Sequence, residues 1–158
     1  MLMLILFGLA SLAAAATGAI FRPGDWYRRL DKPRWRPPDW LFAPVWTALY
    51  VSIALSGWLV WQEAGISSAA LPMGVYALQL LLNAAWTPIF FGLRRPDMAL
   101  AEILVLWVAI VATIVLFHPV SAAAAWLLVP YLAWVSFASA LTFSIWQRNR
   151  DRLTPKEA

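Results

Sequence analysis

The chain has 158 residues, 63% of them hydrophobic and 13% charged, with 12 Lys+Arg against 8 Asp+Glu. Soluble domains carry about 25% charged residues, so a surface held wholly in water is excluded and an integral membrane protein is implied. Cysteine is absent and His118 is the single histidine, which excludes disulfides, thiolate metal sites and a histidine zinc cluster.

A bilayer core about 30 Å thick needs about 20 apolar residues per helix. Five segments qualify: 1–21, 41–61, 71–91, 98–117 and 122–146. Met1 to Phe21 reads as a first helix that stays in the protein, because no Lys or Arg precedes its apolar run as a secretory leader requires. A long polar loop, 22–40, follows it. Residues 62–70, with Glu63, Gly65, Ser67 and Ser68, read as a second loop, 92–97 with Arg94, Arg95 and Pro96 as a third, and His118 to Ser121 as a short turn. From Gln147 the chain reads as a polar tail, 147–158. The expected fold is a single all-α domain, 1–158, built as a five-transmembrane-helix bundle with no internal repeat.

The cations support that count. Arg22, Arg28, Arg29, Lys32, Arg34 and Arg36 lie in the first loop, Arg94 and Arg95 in the third, and Arg148, Arg150, Arg152 and Lys156 in the tail. Five spans place all 12 on one side. The positive-inside rule makes that side cytoplasmic, with the N-terminus outside and the C-terminus on the Lys/Arg-rich side.

Tryptophan occurs 11 times. Trp58, Trp61, Trp126 and Trp146 fall near helix ends, where indole rings favour the membrane interface. Trp46, Trp86, Trp107 and Trp134 fall within spans, and Trp107 reads as facing lipid or a neighbouring helix. In "QLLLNAAWTPIFF", Gln79, Asn83 and Trp86 are spaced i, i+4, i+7 and share a face. An amide in hydrocarbon needs a partner, either another helix or a ligand. Pro88 removes a donor and frees a carbonyl one turn back. In "PYLAWVSFASALTF", Tyr131, Trp134, Ala138 and Thr142 form a stripe in which small residues beside a large ring make a recess or a packing face. Trp46 and Tyr50 stand one turn apart in the second span. These stripes converge toward the basic side if the spans bundle.

The first loop contains "KPRWRPPDW", Lys32 to Trp40. Its prolines restrict the backbone, and it carries Trp26, Tyr27, Trp35 and Trp40 among its six cations. Rigid aromatic surface beside cations suits a flat, apolar ligand bearing carboxylates, with rings stacking and arginine pairing the acid. Contact with anionic lipid headgroups is the compatible competing reading. Catalytic residues are not expected: Glu102, the lone acid inside a span, has no paired carboxylate and reads as a polar contact near the headgroups, while no nucleophile triad or phosphate loop is present. No metal site and no nucleic-acid partner are expected.

The stretches "WYRRLDKPRWRPPDWLFAPVWTALY", "LQLLLNAAWTPIFFG" and "PYLAWVSFASAL" closely resemble the translocator protein family, also called tryptophan-rich sensory protein (TspO/MBR) or peripheral-type benzodiazepine receptor. The resemblance runs from about Gly18 to Asn149. It implies a five-helix bundle, commonly a homodimer, that binds porphyrins and haem, cholesterol in animals, and synthetic isoquinoline and benzodiazepine ligands, in a pocket under the first loop. By position, Trp26, Tyr27 and Pro37 would belong to that pocket's lid, joined by Trp46, Asn83, Trp86, Trp134 and Ala138. With Trp35, Tyr50 and Thr142 these make the expected ligand site, and Arg34 and Arg36 are expected to meet the propionates of protoporphyrin IX or haem. No cofactor is expected to be required. Thr142 stands where the family usually has asparagine. Phe143 stands at the tyrosine of the animal sterol motif, before Arg148, which argues against a complete sterol site. The expected function is porphyrin binding for sensing, regulation or trafficking in a bacterial cell envelope. The alternatives are transport of porphyrin or sterol across the membrane, and light-dependent porphyrin degradation.

Overall fold

Backbone amides placed in hydrocarbon must find partners within the protein, and a helix supplies them within a single segment. A computed structural model of the chain describes residues 2–21 and 24–153, and its elements are helices throughout: α1 Leu2–Ile20, α2 Asp25–Arg29, α3 Asp39–Ser68, α4 Ala70–Thr87 with a π-helical turn Pro88–Gly92, α5 Pro96–Phe117, α6 Ala122–Leu127 and α7 Val129–Leu153. Four stretches among the described residues are long and apolar enough to cross a membrane: Asp39–Ser68, Ala70–Gly92, Pro96–Phe117 and Ala122–Asp151. Leu2–Gly18 is a shorter apolar helix. The chain is therefore an α-helical integral membrane protein.

Several expected boundaries are corrected. The polar loop at 62–70 does not form, because α3 continues to Ser68 and bends at Gly65 (φ 69°, ψ 171°). Hydropathy marks where a helix leaves the apolar layer, not where its hydrogen bonding stops. For the same reason the tail is helical as far as Leu153; the rest of it, 154–158, lies outside the described residues. The last span is broken at Leu128, one residue before α7 begins, and Pro130 takes the second position of α7, where a missing N–H costs little. The first loop contains the short helix α2. Lys32 caps it, its Nζ donating to the carbonyls of Tyr27 (2.6 Å), Leu30 (3.0 Å) and Arg28 (3.3 Å), while Gly24 starts it.

Packing closes the helices into a ring. α1 lies against α3 and α4, α4 against α5, α5 against α7, and α3 against α6 and α7. Ile53, Val60, Ile110, Phe117 and Tyr131 are fully buried between them. Polar ties cross the ring. Ser56 Oγ donates to the Ala124 carbonyl (2.8 Å) and Tyr76 Oη to the Ile53 carbonyl (3.0 Å). Trp107, read as facing lipid or a neighbour, donates from Nε1 to Ser136 Oγ on α7 (2.8 Å). Contacts of Tyr27 with Phe91 and of Asp31 with Asn149 bring the first loop, the π-turn and the end of α7 to one end of the ring. The described cations of those segments gather there.

Candidate functional site

A cavity of about 640 Å³ opens at that basic end. Drug-sized ligands occupy pockets of roughly 300–1,000 Å³. α3 supplies Phe42, Trp46 and Tyr50, α4 supplies Asn83 and Trp86, the π-turn supplies Phe90 and Phe91, and α7 supplies Trp134, Ala138 and Thr142. Small residues of α1, Ala15 and Gly18 among them, line another wall. The rings are set by one another. Trp86 stacks on Phe90 at 4.9 Å and 17°, Trp46 stacks on Tyr50 at 5.2 Å, and Trp134 meets Phe42 edge-on at 5.6 Å.

Asn83 is the polar centre of this wall. Its Oδ1 accepts from Tyr50 Oη (2.8 Å) and its Nδ2 donates to Tyr131 Oη (3.0 Å), joining α3, α4 and α7. One N–H and one lone pair of the amide stay unused by these bonds. Its role is thus interhelical first, with capacity left for a guest. Gln79, one turn earlier on the same face, is 1% exposed and has no partner for either amide atom among the described residues.

Among the residues expected to form the ligand site, Tyr27, Trp46, Tyr50, Asn83, Trp86, Trp134, Ala138 and Thr142 line the cavity. Trp26, Trp35, Pro37, Arg34 and Arg36 do not. Trp26 stands behind the lining, edge-on to Phe90 at 5.8 Å, and Trp35 rests on Phe137 at 5.6 Å with half its surface exposed. Pro37 is half-buried and Arg34 exposed. Arg36 sits at the rim, donating to Tyr27 Oη (3.4 Å) and paired with Asp39. Burial acts against its charge, but the bonds to Tyr27 and Asp39 outweigh that and raise its pKa. Lys32, over the Tyr27 ring at 4.6 Å, has its pKa lowered by burial and then by Arg36.

Sequence reasoning missed Asp39, an acid in the cavity lining, and the pair Phe90 and Phe91. Adjacent residues on a regular α-helix point about 100° apart, so two neighbouring rings are not expected in one pocket. The π-turn, closed by Leu93 N–H on the Pro88 carbonyl (2.9 Å), brings both there. Pro88, which lacks the N–H of a regular ladder, was the available signal.

Glu102, read as a polar contact near the headgroups, makes no such contact among the described residues: both carboxylate oxygens are enclosed and have no partner there. A buried acceptor without a donor costs about 1–3 kcal/mol. Glu102→Leu is therefore expected to raise the thermal unfolding temperature in detergent. A fall would mean that the carboxyl is engaged.

The chain matches the model of the TspO/MBR family over residues 2–147. It is 44% identical over 140 residues to a protein named translocator protein from Bos taurus, covering 85% of this chain and 83% of that protein. It is 43% identical over 148 residues to the Homo sapiens translocator protein, covering 90% and 88% respectively. It is also 41% identical over 140 residues to a tryptophan-rich sensory protein from Cereibacter sphaeroides, covering 89% and 87%.

Proposed function

This chain belongs to the TspO/MBR family, and from that premise we propose that its cavity binds a planar, acidic aromatic guest of the tetrapyrrole class, protoporphyrin IX or haem. The observation that carries the reading is one open-mouthed cavity walled by Trp46, Trp86, Trp134 and Phe90 with Tyr27 and Arg36 at its rim. Flat rings on several sides favour a flat guest, and a guanidinium at the opening favours a carboxylate. The five-span topology, with α1 as the first span, the N-terminus outside and the cationic end in the cytoplasm, belongs to the same proposal, as do a single domain over 1–158, a homodimer, contact with anionic lipid and a place in a bacterial envelope.

Trp86 and Phe90 would supply face contacts, and Asn83 the remaining directional hydrogen bond. Arg36 binds Tyr27 and Asp39 through Nη1, so its Nε and Nη2 would meet a propionate while the Asp39 charge beside it weakens that attraction. The test is a titration in detergent with protoporphyrin IX and, separately, its dimethyl ester, followed by tryptophan quenching. Saturable binding of the acid, with clearly weaker binding of the ester, is expected. Equal binding of both, or no saturation, overturns the reading. Asp39→Asn is expected to tighten the acid form a few-fold at low salt, since an exposed ion pair contributes about 0–1 kcal/mol, and salt should erase the gain.

A further inference from the structure

We propose that Asn149 is the latch that holds the lid segment closed over the cavity, a positioning residue for the guest outside the pocket itself. Asn149 lies on α7 near its end and is 1% exposed. Its Oδ1 accepts the Asp31 N–H at 2.9 Å, and its Nδ2 donates to the Asp31 carbonyl at 2.9 Å and to the Ile145 carbonyl at 2.7 Å. One side chain thus satisfies both backbone groups of a residue 118 positions away in sequence, as a neighbouring strand would. Arg148 adds an ion pair to the Asp31 carboxylate at 3.4 Å.

The segment so held forms the roof. Four residues before Asp31, Tyr27 lines the cavity and leans on Phe91 at 5.3 Å, and Trp26 leans on Phe90. Beyond Asp31, Pro33 is buried and Trp35 rests on α7 through Phe137. The aromatic contacts are edge-on and nonspecific in register. The amide pair is directional and fixes where the segment sits. A carboxylate cannot replace it, because aspartate has no donor for the Asp31 carbonyl and would face the Asp31 carboxylate nearby.

The link to guest exchange rests on the binding reading above; the latch itself does not. Two measurements separate them. Hydrogen exchange is followed in peptides from 25–38 for wild type, Asn149→Asp and Asn149→Leu. The expected result is about 10-fold faster exchange in that segment, with α4 and α5 peptides unchanged. Stopped-flow quenching with protoporphyrin IX is expected to show association and dissociation both faster, with Kd changed less than either rate. A damaged pocket would instead slow association while speeding release. Unchanged exchange in the folded variants overturns the latch. Faster exchange in a protein that binds no porphyrin keeps the latch and ends the binding reading.

Discussion

Replacing Trp134 with alanine is expected to weaken protoporphyrin IX binding by roughly 30-fold, with the helix content unchanged. A buried tryptophan at the centre of a contact surface is typically worth about 2 kcal/mol or more when truncated, and each 1.4 kcal/mol is about tenfold. Trp134 lines the cavity and touches Phe42 and Phe137, so removing it opens one wall without cutting a hydrogen bond between helices. Trp134→Phe retains a ring and should recover most of the affinity. Trp126, 67% exposed on the outer surface, is the control: Trp126→Ala should leave binding as it is. Quenching titrations of the variants provide the comparison, and an unchanged Kd in Trp134→Ala would place the guest elsewhere.

The largest expected effect on the fold comes from one glycine. A Cβ on Gly57 would lie 2.7 Å from Tyr76 Cζ, 2.8 Å from its hydroxyl and 3.0 Å from the Phe7 ring. α3 therefore approaches α4 and α1 at a point where no side chain fits, and the Tyr76 hydroxyl is already fixed on the Ile53 carbonyl. Gly57→Ala is expected to destabilise by about 1–3 kcal/mol through overpacking, read as a lower unfolding temperature in detergent. Gly74 shows the opposite case. Nothing lies within 4 Å of a Cβ there, so Gly74→Ala should be neutral or slightly stabilising through helix propensity.

These two predictions differ in how far sequence alone reaches them. Long apolar runs announced the spans because the bilayer imposes their length. Aromatic residues at three- and four-residue steps announced the wall made by Trp46, Trp86 and Trp134, because helical spacing places them on shared faces. The polar composition of 62–70 misled because helical bonding outlasts apolar composition. The inward turn of both Phe90 and Phe91 depends on a π-turn, and Asn149 looked like one more polar tail residue. Its importance comes from a partner, Asp31, that only the closed ring brings near. Gly57 was silent for a similar reason: a close approach is a property of two helices, whereas composition describes one.

The rim carries a related lesson. Counting cations predicted a positive mouth, yet Lys32 is spent on capping α2, Arg28 is paired with Asp25, and Arg36 is paired with Asp39. Charge type is legible in a sequence, but whether a charge stays available depends on the acids folded beside it.

The most direct measurement is an experimental structure of the protein with protoporphyrin IX bound. The account predicts the macrocycle inside the ring of helices, against Trp86, Phe90 and Trp134, with a propionate at Arg36. A macrocycle lying on the outer surface against Trp40 or Trp126, with the cavity closed by its own side chains, would contradict it.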